Sequence, residues 1–315
     1  MQGKDFRTRV GTGMYTLPVA TALTTLVWMA PDVADWRRWV ALLAVGLTAY
    51  QLIELNNRNT LLRVRSRMVS ATFLALMVAC PALHEWQPGL LAPLCLSASF
   101  IPFFRAYQKR DAAPDVFRTF LLAGLGSLFY PPLLCLLPCY WLGLLVQLRA
   151  LSGRTFVASL LGAALPYWLL GVVALWRGDL TEAAAAWAGT FRTPLPDFRQ
   201  LDPAQLAQGG FLVVLMLLAI VHFFRTAYND KIRTRMFFYV FIVMDVVLLV
   251  GLFARPQDFN MLYSLLAAAG APLVGHYFTL ARGRGMNVWF CCWVVLLVAL
   301  AAFSHLYAWM PSLIS

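Results

Sequence analysis

Eleven apolar runs, each close to the length of a membrane-spanning helix, follow one another along this chain with mostly short polar connectors between them. They cover about residues 14–30, 38–54, 68–84, 88–105, 116–131, 132–148, 155–176, 210–225, 235–254, 259–281 and 286–308. A hydrocarbon core ~30 Å thick takes ~20 mostly apolar residues per helical crossing. Backbone N–H and C=O groups meet no water there, so each run must satisfy them internally, as a helix. The expectation is an all-α, polytopic transmembrane bundle of about eleven spans in one integral membrane domain. Charge points the same way. Of the 315 residues, 61% are hydrophobic and only 12% charged, where a soluble domain carries roughly 25%. The surface of such a chain faces lipid, and little is left for a soluble domain.

The net charge of +11 raises the question of a nucleic-acid partner. The basic residues are spread over the connectors rather than gathered in one stripe, which is the pattern of membrane topology, and nucleic acid is excluded. With the N-terminus inside, the internal connectors hold 19 Lys and Arg and the external ones 6. Retention of basic residues on the cytoplasmic side therefore predicts N-terminus in and C-terminus out. Lys4, Arg7 and Arg9 before the first run read as the inside flank of an uncleaved first span.

One external connector is long, about 177–209. Asp179-Leu-Thr-Glu182 has the spacing of a capping box, and Asp202-Pro203 reads as an N-cap followed by proline at the first helical position. One or two short helices on the membrane face are expected. Val64-Arg-Ser-Arg-Met68 is similar to Ile232-Arg-Thr-Arg-Met236, a hint of duplication.

The chemistry-bearing residues are few. The six cysteines have no metal-ligand or framework spacing, and the four histidines make no metal motif, so no metal site is expected. Asp245 is the one acid in the middle of a run, where an ionised carboxylate is costly and commonly functional. With His222 it forms the intramembrane polar set. The arginines at 63, 65 and 67 suit anionic lipid head groups. Asp32, Asp35 and Glu85 lie at external span mouths. A carboxylate there suits deprotonation of an acceptor hydroxyl or oxygen ligation of a divalent cation, the single cofactor these residues point to. Arg37 and Arg38 stand beside them and suit a lipid phosphate.

The stretch from Phe117 to Asp179 carries Ala123-Gly124 and Gly126, Pro131 and Pro138, Arg149 and Arg154, then Leu165-Pro166 before the long external loop. This order resembles the middle of GT-C type membrane glycosyltransferases, and the whole chain resembles an uncharacterised bacterial polytopic inner-membrane family. The resemblance implies a seven-span GT-C-like module over 14–176, an external loop over 177–209 and four further spans over 210–315. It implies a polyprenyl-phosphate-linked sugar as donor, with Asp32 or Asp35 as the catalytic base or metal ligand and Glu85 as a second acidic residue. Arg192, Arg199 or Arg255 would then meet the lipid phosphate. The leading expectation is sugar transfer in envelope glycan assembly in the bacterial inner membrane. The alternatives are a non-catalytic membrane subunit that partners other envelope proteins, and a transporter or flippase for a lipid-linked or anionic solute.

Overall fold

The computed structural model describes residues 6–64, 66–109, 111–191, 196–281, 283 and 285–309, and the protein is an all-α bundle throughout them. Among these residues the helices are α1 (Phe6–Thr12), α2 (Thr16–Met29), α3 (Trp36–Asn59), α4 (Met68–Val78), α5 (Leu91–Arg105), α6 (Ala113–Phe129), α7 (Leu137–Leu142), α8 (Gly153–Arg177), α9 (Leu180–Gly189), α10 (Pro203–Thr226), α11 (Ile232–Ala254), α12 (Phe259–Leu280) and α13 (Met286–Trp309).

Seven segments among the described residues are long and apolar enough to cross a membrane: Trp36–Asn59, Pro88–Arg105, Gly153–Arg177, Pro203–Asn229, Ile232–Ala254, Pro256–Leu280 and Met286–Trp309. The pair α1 and α2, bent by 88°, makes eight if it counts as one broken span. This is a multi-pass membrane protein, but the expected eleven crossings are not supported. The reason is length. At 1.5 Å per residue, α4 reaches only ~17 Å and α6 ~26 Å, against a core of ~30 Å. Asp115 lies in α6's first turn. Pro131 and Pro132 end α6, and Pro131–Gln147 passes through 3₁₀, α and π turns without forming one regular helix.

Local sequence sets most boundaries. Asp35 caps α3 by accepting from Arg37 N at 2.9 Å, which satisfies a donor that the helix start leaves free. Ser152 and Thr155 form a reciprocal box at the start of α8, and Gly178, at φ 79°, ends it. Asp202 and Pro203 open α10 as expected, with Gln205 Oε1 accepting from Asp202 N at 3.1 Å. This helix starts at Pro203, before the expected run at 210. Asp179 caps nothing with its side chain at α9. The loop does carry short helices, and Trp187 packs edge-on against Tyr167 at 5.4 Å.

The bundle is built around α12, whose apolar window is 94% buried against 17% for α8 and 11% for α13. Its Ala267–Ala271 stretch of small residues lets neighbouring backbones approach. An aromatic cluster fills the space between α5 and α11, with Phe104 stacked on Phe237 at 4.2 Å and edge-on to Phe241 at 5.3 Å. Gln208 bridges elements by donating to Ala79 O and Ser304 Oγ, both at 2.9 Å.

Small residues also join α6 to α8. A Cβ on Gly162 would stand 2.5 Å from Phe117 O, and one on Gly124 2.9 Å from Ala163 O. Backbone cannot yield as a side chain can, so these are close-approach glycines of the kind that pack membrane helices. Gly162→Leu is expected to destabilise the protein by about 1–3 kcal/mol through overpacking. Gly171→Leu, where a Cβ meets nothing within 4 Å, should leave stability near wild type. Thermal unfolding of both variants in one detergent checks this.

Candidate functional site: an arginine-lined cavity

A cavity of about 940 Å³ lies at the end of the bundle that holds α1. Arg7, Arg63, Arg225, His222, His276 and Thr279 line it, together with Leu218 and Val221 of α10. Five pieces of chain converge here: α1, the connector before α4, the end of α10, the 227–231 connector and the last turns of α12.

Each polar group has a local reason to be there. The N–H of Arg7 donates to Asn287 Oδ1 at 2.9 Å, which ties α1 to the start of α13. Its guanidinium donates to Ala281 O. Helix C-termini leave carbonyls without intrahelical partners and carry partial negative charge, so an arginine is suited to the end of α12. Asp230 follows a short 3₁₀ turn, and its side chain is buried. It accepts from Arg63 Nε at 2.5 Å on one oxygen and meets His276 Nε2 at 3.1 Å on the other. A carboxylate only accepts, so His276 carries its proton on Nε2 in this bond. Burial by itself would raise the Asp230 carboxyl. The hydrogen bonds from His276 and Arg63 outweigh it and hold the group below the usual carboxylate range.

The balance of charge is positive. Arg63 is paired through Asp230, whereas Arg7 and Arg225 have no carboxylate partner among the described residues. Guanidinium groups offer forked N–H donors that match phosphate oxygens. Val221 lines the cavity and is 53% exposed. One wall of the cavity is thus formed by α10, a helix long and apolar enough to cross a membrane.

The expected external acids gather at the opposite end, and only in part. Asp35 and Glu85 both approach Arg38, at 3.8 Å each. Asp32 turns into its own loop and accepts from Ala34 N at 2.8 Å. Arg37 is exposed. Arg38 also donates to Trp28 O at 3.4 Å. Arg255 is occupied by Asp258 at 3.1 Å and Thr190 O at 2.7 Å. Arg199 is exposed, and its backbone N–H is capped by Asp197. Arg192 lies outside the described residues. His84, beside Glu85, is buried and stacked on Trp28 at 3.9 Å.

Of the intramembrane pair, His222 lines the cavity, 5.9 Å from His276 between ring centres. Asp245 lies in the packed middle of α11, and neither carboxylate oxygen has a partner among the described residues. The two are not neighbours in one site. Arg7, Arg225, Asp230 and His276 were not foreseen as site residues. Asp230 did carry a signal, an acid set among basic residues in a short connector. His276 carried none, because nothing in an apolar helix marks which polar residue finds a buried partner.

No protein-family model, no curated protein and no solved structure matches this chain. Fold and site together define the class: a polytopic helical membrane protein with seven or eight candidate spans and a cationic cavity at one end.

The Asp230 bridge sets a pH dependence. A carboxyl held below its unfolded pKa of ~3.9 contributes stability above that pH and loses it as pH falls through the lower folded value. Asp230→Asn should lower stability at pH 7 by about 1–3 kcal/mol. Its stability should then fall less steeply than wild type below pH ~4. Tryptophan-fluorescence melts across a pH series measure both effects.

Proposed function

We propose that this protein binds a phosphate-bearing, lipid-linked solute in the arginine-lined cavity and moves it within or across the membrane, as a transporter or flippase does. One observation carries the reading: Arg7, Arg63 and Arg225 line one cavity together with Leu218 and Val221 of the membrane-length helix α10, and of the three only Arg63 has a carboxylate partner among the described residues. A phosphate head group would sit among Arg7, Arg63 and Arg225, and its chain would leave past Leu218 and Val221. Basic residues are retained on the cytoplasmic side, and the gathering of Arg7, Arg63 and Arg225 supports taking this end as the cytoplasmic one. The bacterial inner membrane is the matching location, from the resemblance noted above.

Binding of farnesyl phosphate to the purified protein tests the reading. A charge-assisted hydrogen bond contributes roughly 1.5–3 kcal/mol, so Arg225→Gln and Arg63→Gln should each weaken binding by about 10- to 100-fold. Farnesol, which lacks the phosphate, should bind weakly to wild type. Equal affinity for farnesol, or an unchanged Kd in Arg225→Gln, would sink the proposal.

Sugar transfer from a polyprenyl-phosphate donor at the opposite face is the second reading. What favours it is the approach of Asp35 and Glu85 to one arginine, Arg38. In this case Asp35→Asn with Glu85→Gln changes the cellular glycolipid profile, whereas Arg225→Gln leaves transfer to a supplied donor intact.

A further inference from the structure

A second, smaller depression of about 450 Å³ lies between α3, α5 and α6. Its polarity is graded along α5 and α6, while α3 lines it with Tyr50, Gln51 and Glu54. Glu54, Arg105 and Arg118 stand nearest the α1 end. Ile101 is four residues before Arg105 in α5, and Leu121 and Leu122 are three and four residues after Arg118 in α6. At 5.4 Å per turn, that places an apolar floor about one turn deeper into the bundle. Both helices make the same step from charge to hydrocarbon at the same depth. A phospholipid has this shape, with a phosphate above an acyl chain.

The charge at the mouth selects the head group. Asp115 receives two cations, Arg105 Nη2 and Lys109 Nζ, each at 2.7 Å. Glu54 is taken by Arg58. Arg118 is exposed and has no carboxylate partner among the described residues. Four cations thus face two carboxylates, both already engaged. Arg118 is left with five N–H donors and no anion, at the level where helix ends meet head groups.

We propose that this groove is a specific site for an anionic phospholipid of the leaflet on the α1 side, with its phosphate on Arg118 and one acyl chain along Ile101, Leu121 and Leu122. A free phosphate ester would leave the apolar floor unfilled. A zwitterionic phosphatidylcholine would bring its own cation to a surface that already has an excess. The site is separate from the cavity of Arg7, Arg63 and Arg225 and does not depend on what that cavity carries.

The test is lipid retention by the full chain, read by native mass spectrometry. The probes are phosphatidylglycerol and phosphatidylcholine with the same acyl chains. Preferential retention of phosphatidylglycerol is expected in wild type. One arginine near a membrane surface contributes ~1 kcal/mol toward an anionic lipid, so Arg118→Gln should lower that preference about fivefold. Because Arg118 is exposed, the variant should fold, and its farnesyl phosphate affinity should be unchanged. Equal retention of the two lipids by wild type overturns the proposal, as does wild-type preference in Arg118→Gln. Displacement of the lipid by sn-glycerol 3-phosphate overturns it too, since it would show that the site takes a soluble phosphate ester.

Discussion

Burial of α12 along almost its whole length is the constraint on which the rest of the structure depends. In a bilayer, helices gain little from the hydrophobic effect by meeting one another, because lipid is as apolar as leucine. Close packing must hold them together instead, and small residues allow it. A Cβ on Gly275 would lie 3.1 Å from Val69 N, so α4 and α12 pass almost backbone to backbone. A Cβ on Gly270 would run into the Met216 side chain, so α10 also presses on α12. A helix enclosed in this way must find partners for its polar side chains inside the protein. His276 finds Asp230, and Tyr263 donates to Leu76 O at 2.9 Å.

That need for partners organises the end of the bundle where α1 lies. His276 brings the 227–231 connector onto α12 through Asp230, and Asp230 brings in Arg63 from the 60–67 connector. Arg63 and Asp230, each just before one of the two similar segments that begin at Val64 and Ile232, meet there beside the cavity. Asn56 fastens the first of them by donating to Ser66 O at 3.1 Å. Arg7 then ties α1 across the top through Asn287 and Ala281. The cavity is thus enclosed by hydrogen bonds that also hold the helix ends, which couples its shape to the stability of the fold.

Arginines are paired at both ends of the bundle. At the end opposite α1, Arg38 is shared by Asp35 and Glu85, and Arg255 is taken by Asp258 and Thr190, while Arg37 is exposed. At the α1 end, Arg58, Arg63 and Arg105 are paired, while Arg7, Arg118 and Arg225 have no carboxylate partner among the described residues, Arg7 donating instead to Ala281 O. Guanidinium groups left without a carboxylate are where a phosphate is best received, and both proposed sites lie among them.

The sequence by itself determined the class of the molecule and the opening of α10. Apolar runs and scarce charge admit only a helical membrane bundle, and Asp202 with Pro203 acts within a few residues of itself, so its role is legible from local order, whereas Asp35, read as a site acid, caps α3. The sequence overstated the number of crossings, because apolar character at 68–84 and 116–148 does not reveal that α4 is only eleven residues long or that the proline pair breaks the backbone. What only the tertiary structure decided is which polar residues meet. Asp230, Arg63 and His276 are 46 to 213 positions apart in the chain, and their contact depends on how α10, α11 and α12 pack. The positions of Asp245 in the packed core and His222 on a cavity wall depend on the same packing. Helix faces in an apolar chain look alike along the sequence, and only the small residues that set interhelical distance decide which face turns inward.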